Sequence, residues 1–215
     1  MSSACRSFDP VCRRCPRLAE FREESGRKFP GYHAAPVAAF GDVNPRWLIV
    51  GLAPGMHGAN RTGRPFTGDH AGILLYETLY AVGVSSSAVS ESRDDGLQLR
   101  GVRITNAVKC LPPANKPTPA EIRTCNAFLR AELAAHDTVR VVVALGRIAH
   151  DAVLDALALP RGKFRFAHAA RHALGSDRWL LDSYHCSRYN TQTRRLTPEM
   201  FREVLAQARD LSRTH

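Results

Sequence analysis

The sequence predicts an α/β fold, a three-layer α/β/α single domain over residues 1–215 with a central, mainly parallel four-stranded sheet. Three observations carry this. Four short apolar runs rich in Val, Ile and Leu alternate with helix-like stretches, as crossover-connected parallel strands require. Each run ends on a residue with a special backbone or side chain, where open sheets of this kind place their ligands. The 215 residues are 44% apolar, enough for one sizeable core, and show no shift in composition that would mark a second domain.

The first strand is Trp47-Leu48-Ile49-Val50, running into the turn Gly51-Leu52-Ala53-Pro54-Gly55. A polar, glycine-rich stretch follows from His57 to Asp69. A helix is predicted over Gly72–Val82, with Ile73, Leu74, Leu75, Leu79 and Tyr80 as its apolar face. Val102–Thr105 reads as the second strand; Asn106 ends it and leads to Cys110 and a proline-rich loop, Leu111 to Pro117. Thr118-Pro119-Ala120-Glu121 combines a cap residue, proline in the first turn and an acid at the third position, a strong helix start that puts Cys125 on a helix. Val139–Leu145 is the clearest buried strand, and Gly146 opens a helix through Leu157. Trp179–Tyr184 is the fourth strand, ending at His185, and Leu196-Thr197-Pro198-Glu199 opens the last helix. Residues 84–101 and 159–177 read as irregular connections.

Cysteines are the second signal. Cys12 and Cys15 form a Cys-x-x-Cys pair, and Cys110 and Cys125 lie far downstream with fourteen residues between them. Two sulfurs at the first spacing reach one metal from a single turn, so the second pair must be delivered by tertiary structure. The spacing suits zinc and an iron–sulfur cluster equally; ordinary buried thiols are the alternative. Cys5 falls in the N-terminal segment and reads as a bystander. The formal net charge of +10 favours a polyanionic partner, though basic proteins are also basic for solubility alone. No apolar run is long enough to span a membrane and no secretory signal is visible, which predicts a cytoplasmic protein, associated with nucleoid DNA if DNA is its partner; its size predicts a monomer.

Four motifs in order extend this reading: Gly51-Leu52-Ala53-Pro54-Gly55, Asn60-Arg61-Thr62-Gly63-Arg64-Pro65-Phe66-Thr67-Gly68-Asp69, Lys109-Cys110-Leu111-Pro112-Pro113, and His185-Cys186-Ser187-Arg188-Tyr189-Asn190-Thr191-Gln192-Thr193. With them the chain resembles the uracil-DNA glycosylase superfamily, in particular its iron–sulfur type-b group, often called family five, from Cys12 to the final helix. The resemblance implies a structural [4Fe–4S] cluster on Cys12, Cys15, Cys110 and Cys125. It also implies a monofunctional hydrolase that flips uracil, and other deaminated bases such as hypoxanthine, out of DNA and leaves an abasic site.

By that resemblance His185 donates to the base oxygen on which charge accumulates, and Phe66 stacks on the flipped base; a core aromatic is the competing role for Phe66. Gly51 and Ala53 belong to the substrate loop. Other branches carry an acid at or next to Leu52 and Ala53, and this chain does not. Asp69 is therefore the candidate to orient water, or else it caps the following helix. Asn106 is placed to read the Watson–Crick edge of uracil, or else satisfies backbone at a strand end, and Asn115 is a further contact. Asn60, Arg61 and Arg64 form a positive lip, and Ser187, Arg188, Tyr189 and Asn190 touch the duplex, with Tyr189 as a wedge. Cys186 stands where the motif usually has proline, which predicts a more flexible loop with an exposed, oxidation-prone thiol. A lesion-binding module without catalysis is the alternative function, and a form that captures the sugar covalently is the third reading.

Overall fold

The protein is described by a computed structural model over residues 8–175 and 177–213; Cys5 lies outside the described residues. The elements, in chain order, are α1 (Pro16–Lys28), β1 (Phe40–Gly41), β2 (Trp47–Gly51), α2 (Ala59–Thr62), α3 (His70–Ala81) and β3 (Val102–Asn106). They continue with α4 (Pro119–Ala135), β4 (Val141–Leu145), α5 (Arg147–Ala156), β5 (Arg171–Ala173), β6 (Trp179–Ser183), α6 (Arg188–Gln192) and α7 (Pro198–Arg213), with short 3-10 turns at Pro113–Asn115 and Arg161–Lys163.

The sheet has six strands in the order β1-β3-β2-β4-β6-β5, where the sequence predicts four. The four expected strands are the parallel centre, β3-β2-β4-β6. The two additional ones are antiparallel edges of two and three residues. Neither carries an apolar run, because an edge strand is recruited by its neighbour's unpaired backbone and not by its own burial.

Period two sorts the central strands between two cores. Trp47, Ile49, Val141, Val143 and Leu181 face α3 and α7, meeting Leu75, Leu79, Phe201, Val204 and Leu205. Leu48, Val50, Val142, Ala144 and Leu180 face α4 and α5, meeting Leu129, Leu133, Ala149 and Val153. The helix predicted over Gly72–Val82 begins at His70, and Ile73 and Tyr80, assigned to its apolar face, are instead 57% and 54% exposed. Leu74, Leu75 and Leu79 already fill the face toward the sheet, so Ile73 and Tyr80 fall on the solvent side of the same helix.

α1 is a helix the sequence did not announce. Its mean character is polar, and only Leu18, Ala19, Arg22 and Ser25 are buried. It is held by its surroundings: Arg17 grips Glu121 through Nε at 2.8 Å and through Nη2 at 2.7 Å, joining α1 to the first turn of α4. That turn has the predicted capping box, Glu121 N–H donating to Thr118 Oγ1 and Thr118 N–H donating to the Glu121 carboxylate. Among the described residues no helix is long and apolar enough to cross a membrane.

Replacing Thr118 with Ala removes half of this capping box and should lower unfolding free energy by about 1 kcal/mol, measured as a shift in denaturant midpoint at unchanged slope. A wild-type midpoint would show that Glu121 holds the turn unaided.

Candidate active site

Beyond the carboxyl ends of β2, β3 and β6 opens a cleft of about 400 Å³. Its lining includes Ala53 from the turn after β2, Asn106 from the end of β3, and His185 from just after β6, with Phe66, Asp69 and Asn115 from the loops above. The parallel order β3-β2-β4-β6 aims these strand ends the same way, so residues more than a hundred positions apart meet.

Gly51 does not line the cleft but builds it. A side chain there would run into Asn106 Oδ1 and, at 2.5 Å, into Phe66 Cζ. The absent Cβ is what lets the Asn106 amide and the Phe66 ring pack behind one another. Phe66 itself sits at a left-handed φ of +55°, and its carbonyl lies directly over Gly72, where a Cβ would collide with it. A backbone held in this costly region by neighbours fixes a ring in one orientation. Phe66 is 94% buried, with its ring centroid 6.0 Å from that of His185.

Asn106 is buried, and its Oδ1 has no hydrogen-bond partner among the described residues. An orphaned buried carbonyl costs about 1–3 kcal/mol unless something bonds to it. This one lies at the floor of an open cleft, so it is set to accept from a ligand N–H.

Burial pushes the His185 imidazole down to about 4, so it is neutral at pH 7. Its carbonyl accepts from Asn190 Nδ2 at 2.8 Å, and Asn190 N–H in turn donates to Ser187 Oγ at 3.4 Å, which caps α6. Asn190 and Ser187 thus shape the His185 loop, while Tyr189 between them projects outward at 68% exposure. Within β6, Asp182 is enclosed by two histidines: His150 Nδ1 at 2.7 Å and His172 Nε2 at 3.2 Å. Desolvation opposes the His150 charge, but the Asp182 carboxylate outweighs it and raises the pKa above the usual value. This network ties α5, β5 and β6 together three residues before His185.

Of the two roles weighed for Asp69, the structure shows the helix cap, and the same carboxylate also lines the cleft. Oδ1 caps α3 by accepting from Gly72 N–H at 3.0 Å, while Oδ2 lies against Gly55 and Gly58 in the cleft. Burial raises its pKa, and the amides of Gly72 and Ala71 oppose the rise.

Three expectations need correction. Arg64 is 3% exposed and is not part of a positive lip: its Nη1 donates to both Asp95 oxygens at 2.7 and 2.9 Å, its Nη2 to Arg93 O, and its guanidinium covers the Phe40 ring. It clamps the 84–101 connection to the sheet. Asn60 is fully buried and donates to Ser25 Oγ of α1 at 3.0 Å, so it too serves packing. Arg61 alone of the three stays at the surface. Cys186 is not an exposed thiol in a loosened loop: it is fully buried in the core with Leu196 and Phe201, and burial drives its pKa far up. A small apolar side chain can replace proline there because the core, rather than ring closure, restrains the loop.

Ala59, His70 and Ala71 line the cleft without having been singled out in the sequence, and His70 is the polar one among them. His70 lines the same space and pairs through Nε2 with Thr191 Oγ1 of α6 at 3.0 Å; its only sequence signal is its place beside Asp69.

The four cysteines converge as the spacing suggests. Cys12, Cys15, Cys110 and Cys125 line a second, small apolar cavity with Leu18 and Phe128. Burial is the largest cause raising Cys15 to about 11 and Cys110 to about 12, and burial raises Cys125 as well. Crowded thiols of this kind would stay protonated unless a metal replaced the protons, so the donor set fits a thiophilic metal centre. Among the described residues, the groups with three donor atoms within 4.8 Å of one another include no cysteine set. A lone zinc with bonds of about 2.3 Å draws its sulfurs closer than that.

The family model described as the Uracil DNA glycosylase superfamily matches residues 38–209. A Type-5 uracil-DNA glycosylase from Thermus thermophilus is 53% identical over 207 residues, 94% of each chain. One from Mycobacterium bovis is 45% identical over 210 residues, 94% of this chain and 78% of that one. A Type-4 uracil-DNA glycosylase from Thermotoga maritima is 38% identical over 120 residues, 55% of this chain and 54% of that one.

The His185 environment sets an acid limit. Its folded pKa lies below that of the unfolded chain, so the unfolded state binds the extra proton and stability falls as pH drops from about 6.5 toward 4. His185→Gln should flatten that part of the stability–pH curve in chemical denaturation; an unchanged slope would mean that His185 is not the group responsible.

Proposed function

The chain belongs to the uracil DNA glycosylase superfamily, and from that premise we propose that it hydrolyses the N-glycosidic bond of uracil flipped out of DNA. The observation that carries the reading to this cleft is the unpartnered Oδ1 of Asn106. Uracil presents an imide N–H between two carbonyls, and the buried acceptor gains its missing partner only from a base with an N–H at that edge.

Phe66 supplies the face on which the base stacks. As the C1′–N1 bond breaks, its electron pair leaves with the base and negative charge gathers on the base oxygens. His185, held neutral, donates an N–H toward that charge, as a preorganised dipole that costs no reorganisation when the bond breaks. Asp69 Oδ2, at the mouth of the cleft, orients the water that attacks C1′ and offsets the cationic sugar. The water's proton passes to solvent, leaving an abasic site. The absence of an acid at Leu52 and Ala53 favours this division of labour. Ala53 and Asn115 complete the base pocket. Arg61, Ser187, Arg188 and Tyr189 are the duplex contacts, with Tyr189, 68% exposed, as the wedge.

The sulfurs of Cys12, Cys15, Cys110 and Cys125 would hold a [4Fe–4S] cluster. When bound it supplies a rigid cross-link between α1, the loop after β3 and α4. Action on hypoxanthine and other deaminated bases, a monomeric state and a cytoplasmic, nucleoid-associated location belong to the same reading. The purine substrate is the one most restricted by Asn106, because a fixed amide at the pocket floor leaves less room for a larger base.

Labelled duplexes containing uracil, hypoxanthine or a thymine mismatch, treated with alkali after incubation, test the reaction. Uracil strands should be cut, His185→Ala should lose about a hundredfold in rate, and Asn106→Ala should lose uracil activity while gaining ground on hypoxanthine. Binding to uracil duplex with no product would favour the lesion-binding module, and equal activity of Asn106→Ala and wild type would remove Asn106 from base reading. For the metal centre, Cys12→Ser should abolish visible-range absorbance and reduce thermal stability; intact absorbance would remove Cys12 from the ligand set.

A further inference from the structure

Arg22 lies on α1 at 5% exposure, with its guanidinium against Cys110, one of the four cysteines. A guanidinium this deep is ordinarily paired with a carboxylate, because a buried charge without a countercharge costs several kcal/mol (about the price of a broken buried ion pair). Among the described residues Arg22 has no carboxylate partner. Its Nη1 donates to Cys110 Sγ at 3.0 Å and its Nη2 to the Cys12 carbonyl at 3.3 Å. A neutral thiol is a weak acceptor. A metal-bound thiolate is an anion, and would complete the pair.

Lys109 stands on the other side of the same cavity, 3% exposed. Its backbone N–H donates to Cys125 Sγ at 3.3 Å. Its ammonium bonds Thr105 Oγ1 and lies 3.3 Å from Glu132, whose other oxygen is already taken by Arg103 at 3.0 Å. One carboxylate therefore serves two cations, and the Lys109 charge is only partly cancelled. A 2+ cubane bound by four thiolates is a dianion, and two buried cations stand beside these cysteines: Arg22, with no carboxylate and bonded to Cys110 Sγ, and Lys109, which shares one carboxylate with Arg103.

We propose that Arg22, supported by Lys109, is the countercharge of the cluster: a positioning residue that stabilises the anionic four-thiolate centre and sets its electron affinity. This rests on the cluster reading of the four cysteines. Addition of an electron makes the centre more negative, so a cation at this distance favours the reduced form and raises the reduction potential.

The test uses the cluster-containing protein. Wild type is first analysed for iron and acid-labile sulfide; their absence would overturn the cluster reading itself and leave nothing for Arg22 to balance. With the cluster present, Arg22→Gln and Arg22→Lys are compared by iron content, by the rate at which a chelator strips the iron, and by the potential of one-electron reduction at an electrode. Arg22→Gln should lose iron about tenfold faster or more and titrate at a lower potential, and Arg22→Lys should restore both toward wild type. Arg22→Gln that matches wild type in iron content, stripping rate and potential would overturn the proposal. So would equal failure of the Gln and Lys variants, since that would make shape rather than charge the requirement.

Discussion

The pairing of β2 with β3 is the constraint on which both centres depend. The parallel register sets Gly51 opposite Asn106. The ladder continues beyond the strands, with Ala107 N–H donating to Gly51 O at 2.9 Å and Val108 N–H to Leu52 O at 2.9 Å. Those two bonds carry the chain from the Asn106 amide directly into Lys109 and Cys110. The cleft and the cysteine centre are thus two faces of one extended backbone pairing. A slip of one residue would turn Asn106 out of the cleft and Cys110 away from Cys125 at once.

Around that pairing, the protein handles buried polarity in two ways. Most of it is satisfied internally, as in Arg64 with Asp95 or Asp182 with His150 and His172. Such groups fix loops and strands, and their cost is met on folding. Some is left incomplete: the Asn106 carbonyl in the cleft, but also Asn60 Oδ1 and Arg64 Nε in the packing, while the Arg22 guanidinium beside the sulfurs is bonded yet has no carboxylate. Incomplete polar groups are tolerated when something else completes them in the working state, which for Asn106 is the open cleft it lines.

The loop that bears His185 follows the same logic. Cys186 anchors it from below in the core, Asn190 holds the His185 carbonyl from above, and Ser187 caps the short helix that presents Tyr189. Desolvation of His185 comes from this enclosure, so the neutral imidazole and the rigidity of its loop have a common cause. His70, bridging to Thr191, couples the helix that Asp69 caps to the helix that carries the exposed tyrosine.

What the sequence determined by itself was whatever local chemistry encodes. Apolar runs marked the four central strands, Thr118-Pro119-Ala120-Glu121 marked the start of α4, the motifs marked Asp69 and His185, and the end of the second strand marked Asn106. Tertiary structure decided the rest. Edge strands β1 and β5 and the polar helix α1 have no signal of their own, because neighbours impose their conformation. Arg64, Asn60 and Cys186 read as surface groups because arginine, asparagine and a loop cysteine are usually exposed; only packing shows that Asp95, Ser25 and the α7 core enclose them. The same holds for Arg22, whose partner lies 88 residues away in sequence. Burial and long-range charge are properties of the assembled chain, and a pattern of neighbouring residues does not contain them.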